Sequence, residues 1–172
     1  MTVQRIEFLN YPVSERLPDP VWGIRIDNTD LRVHAADATR DLWRQEHPDT
    51  SPSDRERFLL NQYDGLLHRE IGDPGRHFLG APAPEFAAGS SAGATPVLGC
   101  PCGVWECWPL LTVITVSPET VTWSSFRQPF RKEWGELPMG PYTFTRSAYE
   151  AALAEPTRLT KDPLAVHQES TP

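Results

Sequence analysis

The fold is decided by residues 110–126, which read LLTVITVSPETVTWSSF. The first seven residues are rich in β-branched apolar side chains, and the last six alternate between apolar and polar side chains. Both patterns are typical of β-strands. Between them, Pro118 stands at the second position of a four-residue turn, where its fixed φ angle is favourable. The stretch therefore predicts an antiparallel β-hairpin.

Further strands are predicted on both sides of this hairpin. Residues 22–26 alternate Trp, Ile and Ile with Gly and Arg, and residues 27–30 read Asp-Asn-Thr-Asp, which is turn chemistry. Leu31 and Val33 resume the alternation, so a second hairpin is expected here. Shorter alternating segments predict single strands at 3–9 and at 142–145.

Three segments combine a helix-capping residue with apolar side chains at helical spacing. They are 37–46 capped by Asp37, a helix that begins after Ser51, and 147–153 capped by Ser147 with Glu150. Together with the strands, these helices predict an α+β fold. We expect one antiparallel sheet of hairpins with two or three helices packed on one face.

The chain length of 172 residues is typical of a single domain, which we expect to span residues 1–155. Residues 72–95 are rich in Gly, Pro, Ala and Ser and predict a flexible surface loop or lid. Residues 156–172 contain few apolar side chains and predict a disordered tail.

The charge balance restricts the partners of the protein. The chain carries 16 Lys and Arg against 23 Asp and Glu, a net charge of −7. This acidity argues against general affinity for nucleic acid or anionic lipid and favours a basic protein partner. No apolar run reaches the roughly 18 residues of a membrane-spanning helix, and the N-terminal residues lack the pattern of a signal peptide. We therefore expect a cytoplasmic protein that does not bind membranes.

The concentrated chemical feature is the stretch GCPCGVWECWP at residues 99–109, which holds all three cysteines. On an extended backbone Cys100 and Cys102 point to the same side, and Cys107 can return by the next turn. Zinc prefers four nitrogen or sulfur ligands, so a fourth group is needed. The nearest histidines in sequence are His68 and His77. The predicted zinc ligands are Cys100, Cys102, Cys107 and His77.

Two other interpretations of the cysteines remain open. The three side chains can simply pack as small apolar groups beside Trp105 and Trp108. Alternatively, Cys102 and Cys107 can form a disulfide, with Cys100 as the attacking or resolving thiol.

A second group of residues mixes cations with aromatic side chains. It comprises Arg127, Arg131 and Lys132 among Phe126, Phe130 and Trp134. Such a mixture can stack on a base or bind a phosphate. The acidic balance of the chain favours a solvated loop that offsets Glu133 and Glu136 instead.

Several segments resemble a group of uncharacterised bacterial proteins. The resemblance rests on LGCPCG at 98–103, CWPLL at 107–111, VTWSSFRQP at 121–129 and FTRSAYEAAL at 144–153. It implies a bacterial, cytoplasmic origin and a single fold over the densest region, 97–153. No assigned activity is known for these proteins, so the resemblance implies no catalytic residue.

Two function classes follow from these observations. The absence of recognisable catalytic and nucleotide-binding motifs favours a non-enzymatic binding or adaptor protein, such as an immunity-type protein that masks a basic effector. The alternative is a small metal- or thiol-dependent enzyme that uses Cys100, Cys102 and Cys107. That enzyme requires an open metal position or a thiol of lowered pKa beside a pocket.

Overall fold

The structure is a computed structural model that describes residues 2–13, 19–88 and 93–165. Nine β-strands lie within these ranges. In chain order they are β1 (Ile6–Pro12), β2 (Pro20–Ile26), β3 (Thr29–Asp30), β4 (Leu66–Leu67), β5 (Ala94–Leu98), β6 (Leu110–Val116), β7 (Thr120–Arg127), β8 (Tyr142–Thr145) and β9 (Thr157–Arg158).

Six α-helices occur in the same part of the chain. They are α1 (Leu31–Glu46), α2 (Pro52–Leu60), α3 (His68–Ile71), α4 (Pro74–His77), α5 (Pro84–Ala88) and α6 (Arg146–Ala154). Two short 3₁₀ helices cover Trp105–Cys107 and Lys132–Trp134. The mixture of helices with largely antiparallel sheets confirms the predicted α+β class.

The strands form two sheets, so the prediction of a single sheet is wrong. The first sheet has the order β3-β2-β1-β9, with β4 also paired to β2, and the second has the order β5-β6-β7-β8. The predicted hairpin of residues 110–126 is confirmed as β6 and β7, which pair antiparallel with Val116 opposite Val121. The early strands do not pair with this hairpin. Strand β2 pairs with β1 and with β4, so the early strands and the hairpin belong to different sheets.

One hydrophobic core connects the two sheets. Tyr149 of α6 lies at its centre, because its ring contacts Phe8 of the first sheet and both Trp123 and Phe144 of the second. The Tyr149 hydroxyl accepts a hydrogen bond from Trp123 Nε1 at 3.1 Å and donates one to the Phe78 carbonyl oxygen. Helix α6 thus contacts both sheets rather than one face of a single sheet.

Helix α1 begins six residues earlier than predicted. The turn at Asp27 and Asn28 is present, and both residues have positive φ angles of 51° and 66°. Asp30 then caps the helix by accepting a hydrogen bond from the Arg32 backbone at 2.9 Å, whereas Asp37 lies inside the helix. The continuation of a hairpin strand through Leu31 and Val33 is therefore wrong.

The other two helix predictions have different outcomes. Helix α2 follows the predicted cap, since the Asp54 amide donates to Ser51 Oγ at 3.2 Å. Helix α6 is present, but its N-cap residue is Thr145 and no side chain caps it. Glu150 forms an ion pair with Arg146 instead of the predicted capping box with Ser147.

Two segments that were predicted to lack regular structure contain it. The predicted loop at 72–95 holds α4, α5 and the first residues of β5, while its residues 89–92 lie outside the described part. The tail predicted from residue 156 is wrong for residues 157–165, because β9 pairs in parallel with β1 and places Thr157 opposite Leu9. Residues 166–172 lie outside the described residues.

Candidate functional site

The cysteines lie in a turn between β5 and β6, here called the cysteine turn, residues 100–107. It begins after Gly99, whose backbone exchanges two hydrogen bonds of 2.9 Å with Asp64. Gly103 has a φ angle of +92°, which favours glycine. The buried Trp105 fixes the turn to the core, since its ring stacks on Phe86 at 4.4 Å.

The three thiols of the cysteine turn differ in exposure and acidity. Cys102 and Cys107 are exposed, whereas Cys100 is half-buried. Hydrogen bonds with the Val104 backbone and then with the thiols of Cys100 and Cys107 lower the pKa of Cys102. Burial raises the pKa of Cys100, and the interaction with Cys102 raises the pKa of Cys107. Cys102 is therefore the first of the three to ionise.

Both candidate histidines are engaged with other groups. His77 is buried, its Nε2 lies 2.7 Å from the Pro96 carbonyl oxygen, and its ring packs against Phe78 and Phe86. The ring of His68 stacks on Trp22 at 4.6 Å, and its Nε2 lies 2.8 Å from Asn10 Oδ1. These contacts leave neither Nε2 free for the cysteines.

Within the described ranges, no three His, Cys, Asp or Glu side chains form a group that could hold a metal ion. The predicted ligand set of three cysteines and His77 is therefore not assembled in the structure. Its three sulfur atoms are close enough to affect one another's ionisation, but the fourth group is engaged elsewhere. Zinc at this turn stays a prediction of the sequence.

A cleft with a volume of about 100 Å³ opens to solvent beside the cysteine turn. Gly99, Cys100 and Pro101 form one wall, and the ends of β1 and β2 form another. Four carboxylates line it, namely Asp19, Asp64, Glu70 and Asp162. The cationic residue among the described lining residues is Arg69, which pairs with Asp19 at 3.6 Å. We call this feature the acidic cleft.

A buried arginine lies behind the acidic cleft. Arg32 is 3% exposed and makes paired hydrogen bonds of 2.8 to 3.0 Å to the carboxylates of Asp30 and Asp162. Its guanidinium lies 5.7 Å from the centre of the Tyr11 ring. Burial alone would raise the pKa of Asp162, but the hydrogen bonds from Arg32 outweigh it and lower that pKa.

Two side chains that line the acidic cleft, those of Asp64 and Tyr11, have no partner at hydrogen-bond distance among the described residues. The Asp64 carboxylate lies 3.9 Å from Arg32 Nη1, too far for a hydrogen bond. Burial raises the pKa of Asp64 to about 6, although Arg32 acts in the opposite direction. The buried hydroxyl of Tyr11 has no hydrogen-bond partner among the described residues. The Asp64 carboxylate can accept a hydrogen bond from a ligand in the cleft, whereas the Tyr11 hydroxyl is buried inside the protein.

An aromatic patch adjoins the acidic cleft. Its members are Trp43, Phe58, Trp108, Phe130 and Trp134, which are linked by ring contacts. Phe58 and Phe130 are 46% and 56% exposed. Cys100 and Pro101 line the acidic cleft and also a second pocket beside Trp43, Phe58 and Trp108. The two features therefore meet at the start of the cysteine turn.

Arg131, a member of the predicted basic and aromatic group, forms its contacts within the protein. The Arg131 guanidinium lies 5.1 to 5.8 Å from the ring centres of Trp43, Trp108 and Trp134. It also pairs with Glu46 at 3.1 Å, rather than with Glu133 or Glu136. Because Arg131 already occupies the faces of these rings, the arrangement is a cation–π clamp within the protein.

Sequence reasoning missed the charged groups of the acidic cleft. Asp30 and Arg32 are neighbours in sequence, but Asp64 and Asp162 lie far from them along the chain. They meet because two strand pairings bring them together. Strand β4, just after Asp64, pairs with β2, and strand β9, just before Asp162, pairs with β1. The sequence carried no local signal for these long-range pairings.

Among the residues that the structure describes, none of the helices has the length and apolar composition to cross a membrane. The resemblance to uncharacterised bacterial proteins stays a prediction after comparison with known proteins. No family model matches this chain, and neither a curated protein nor a solved structure does.

Proposed function

We propose that this is a non-enzymatic binding protein that captures a cationic side chain of a protein partner in the acidic cleft. The observation that carries the proposal is the charge of the lining, in which four carboxylates accompany Arg69, itself paired with Asp19. Asp64 and Glu70 are left without an ion-pair partner at hydrogen-bond distance among the described residues. A lysine or arginine side chain supplies the missing positive charge.

The chemistry of the acidic cleft suits such a cation. Asp64 and Glu70 are carboxylates in a partly desolvated setting, where burial raises the pKa of both. An incoming cation offsets this burial cost by a charge-assisted hydrogen bond. The net charge of −7 also accelerates the approach of a basic partner.

The aromatic patch supports a protein rather than a small-molecule partner. Exposed aromatic side chains next to charged anchors are characteristic of protein interfaces. Phe58 and Phe130 can cover apolar groups of the partner while its cation enters the acidic cleft. The exposed thiols of Cys102 and Cys107 support a reducing compartment, and we therefore propose a cytoplasmic location.

The test is a titration of the full chain, followed by NMR, with the peptide acetyl-Ala-Arg-Ala-amide and its Gln analogue. We expect the Arg peptide to shift the amide signals of Gly65 and Gly99, which line the acidic cleft. Asp64→Asn combined with Glu70→Gln should weaken binding about tenfold, the effect of roughly 1.4 kcal/mol from lost charge-assisted bonds.

The matched control is Asp41→Asn, which removes a carboxylate on the exposed surface of α1 that is paired with Arg44. It should leave peptide affinity unchanged. Equal binding of the Gln peptide, or signal shifts that avoid the acidic cleft, would refute the proposal.

A thiol-dependent enzyme is the second candidate, and one observation favours it. Cys102 is exposed, and hydrogen bonds with the Val104 backbone lower its pKa, beside a cleft that Cys100 lines. The described lining of the cleft holds carboxylates but no histidine, whereas a catalytic cysteine ordinarily needs a base. Catalytic turnover of a thioester by the wild-type chain, abolished in Cys102→Ser, would establish this candidate over the first.

A further inference from the structure

The cysteine turn presents two exposed thiols, those of Cys102 and Cys107, and one half-buried thiol, that of Cys100. The Cys102 side chain interacts with those of Cys100 and Cys107, and its Sγ lies 3.6 Å from the Val104 carbonyl oxygen. Cys102 and Cys107 are both open to solvent. At Gly103, between them, no atom beyond its two chain neighbours lies within 4 Å of the position that a Cβ would take. A second molecule therefore has room to approach Cys102.

We propose that Cys102 is a thiol–disulfide exchange site for low-molecular-weight disulfides such as oxidised glutathione, and that Cys107 resolves the mixed disulfide. The inference goes beyond the proposed binding function and does not depend on it. It needs only the placement of the three thiols and their exposure.

The exchange balances in two steps. The Cys102 thiolate attacks one sulfur of the glutathione disulfide, a new S–S bond forms, and one glutathione thiolate leaves. The Cys107 thiolate then attacks Cys102 Sγ, which releases the second glutathione thiolate and leaves a Cys102–Cys107 disulfide. The protein loses two electrons and two protons, and oxidised glutathione becomes two reduced glutathione molecules.

The structure distinguishes the roles of the three thiols. Cys102 interacts with both of the other thiols, so an adduct on its sulfur lies within reach of a resolving thiol. Cys107 is exposed and its side chain interacts with that of Cys102, which makes it the accessible partner for closing the ring. Cys100 is half-buried in the wall of the acidic cleft, where burial raises its pKa.

The test incubates the reduced full chain with oxidised glutathione at neutral pH and follows it by intact-mass spectrometry and peptide mapping. The wild-type chain should lose two hydrogen atoms and yield a peptide linked through Cys102 and Cys107. Cys107→Ser should stop at a stable adduct of one glutathione on Cys102. Cys102→Ser should slow the reaction about tenfold or more, because the attacking thiol is absent.

Cys100→Ser is the matched control and should behave as the wild type. Folding of each variant is checked by its circular dichroism spectrum and its unfolding midpoint. The proposal is overturned if Cys100→Ser blocks closure, or if Cys102→Ser reacts at the wild-type rate. It is also overturned if the purified chain holds one zinc ion that masks the thiols until chelation, since this outcome would establish the predicted metal site instead.

Discussion

At the scale of single residues, the carboxyl group of Asp64 makes the stability of the fold depend on pH. Its pKa is raised from 3.8 to about 6, chiefly by burial. Between these two values the folded chain retains a proton that the unfolded chain releases. The contribution of Asp64 to stability is therefore complete below about pH 4 and is lost as the pH rises through about 6.

Asp64→Asn should remove this loss, because asparagine resembles the protonated carboxyl group. We expect the variant to exceed the wild type in free energy of unfolding by about 1 kcal/mol at pH 7, a value reduced for solvent screening because the side chain is 39% exposed. The difference should vanish near pH 4. Urea unfolding between about pH 4 and 8 measures it, with Asp41→Asn as the surface control. A constant difference across this range would contradict the assignment.

Peptide binding should change with pH in the opposite direction. Because a cation prefers the ionised carboxylate, affinity for acetyl-Ala-Arg-Ala-amide should rise severalfold as Asp64 deprotonates through about pH 6. Asp64→Asn should flatten this rise. The measurement is the NMR titration repeated at several pH values, and an affinity that falls over this range would show that Asp64 does not face the ligand.

Individual residues were predictable where the signal is local. Ser51 was identified as a helix cap because its hydroxyl needs only the amide of Asp54. Cys100, Cys102 and Cys107 were expected to lie together because they are close in sequence, and they share the cysteine turn, whereas their function as a site stays a prediction. The role of Asp64 was not predictable, because its raised pKa comes from burial, opposed by Arg32, which is 32 positions away in the sequence.

At the scale of elements, the C-terminal segment holds the first sheet together. Strand β9 extends the sheet beside β1, and Asp162 follows it to meet Arg32 of α1. The Asp162 side chain is 17% exposed, so its ion pair is protected from water. The segment thus connects the two ends of the described chain.

Asp162→Asn should destabilise the protein by about 2 kcal/mol, because a buried arginine loses one of its two carboxylate partners. Asp30 keeps Arg32 partly compensated, which limits the loss. Chemical denaturation measures the effect. The control Asp41→Asn breaks an exposed pair and should cost less than about 0.5 kcal/mol. Equal effects of the two substitutions would mean that the C-terminal segment does not stabilise the sheet.

Elements defined by neighbours in sequence were predicted well. The hairpin of β6 and β7 and the strand β8 follow from alternation and turn residues. The start of α1 was missed because Ala35, Ala36 and Ala38, all buried, form part of its inner face and carry little apolar signal. Strand β9 was missed because two residues in a polar segment show no periodicity, and only the pairing with β1 makes them a strand.

At the scale of the whole molecule, the two sheets share one core around Tyr149. The α+β class was predictable from composition and periodicity. The division into two sheets was not, because periodicity does not tell which strands pair. The buried Tyr149 depends on both sheets for its ring contacts and its hydrogen bonds.

The shared core predicts a single cooperative unfolding transition. Circular dichroism and tryptophan fluorescence should give the same midpoint. Tyr149→Phe should lower the free energy of unfolding by about 1 to 3 kcal/mol, because Trp123 Nε1 and the Phe78 carbonyl oxygen lose their shared partner. Two separated transitions would show that the sheets unfold independently.

The parallel pairing of β1 with β9 determines when this protein can finish folding during synthesis. A ribosome makes residues 6–12 about 150 residues before residues 157–158, which form the strand that flanks them on one side. Until Asp162 emerges, Arg32 lacks one of its carboxylates, so the nascent first sheet carries an open edge and an incompletely balanced charge. We therefore expect the first sheet to close only after nearly all of the described chain has left the ribosome, whereas the hairpin of β6 and β7 can form earlier.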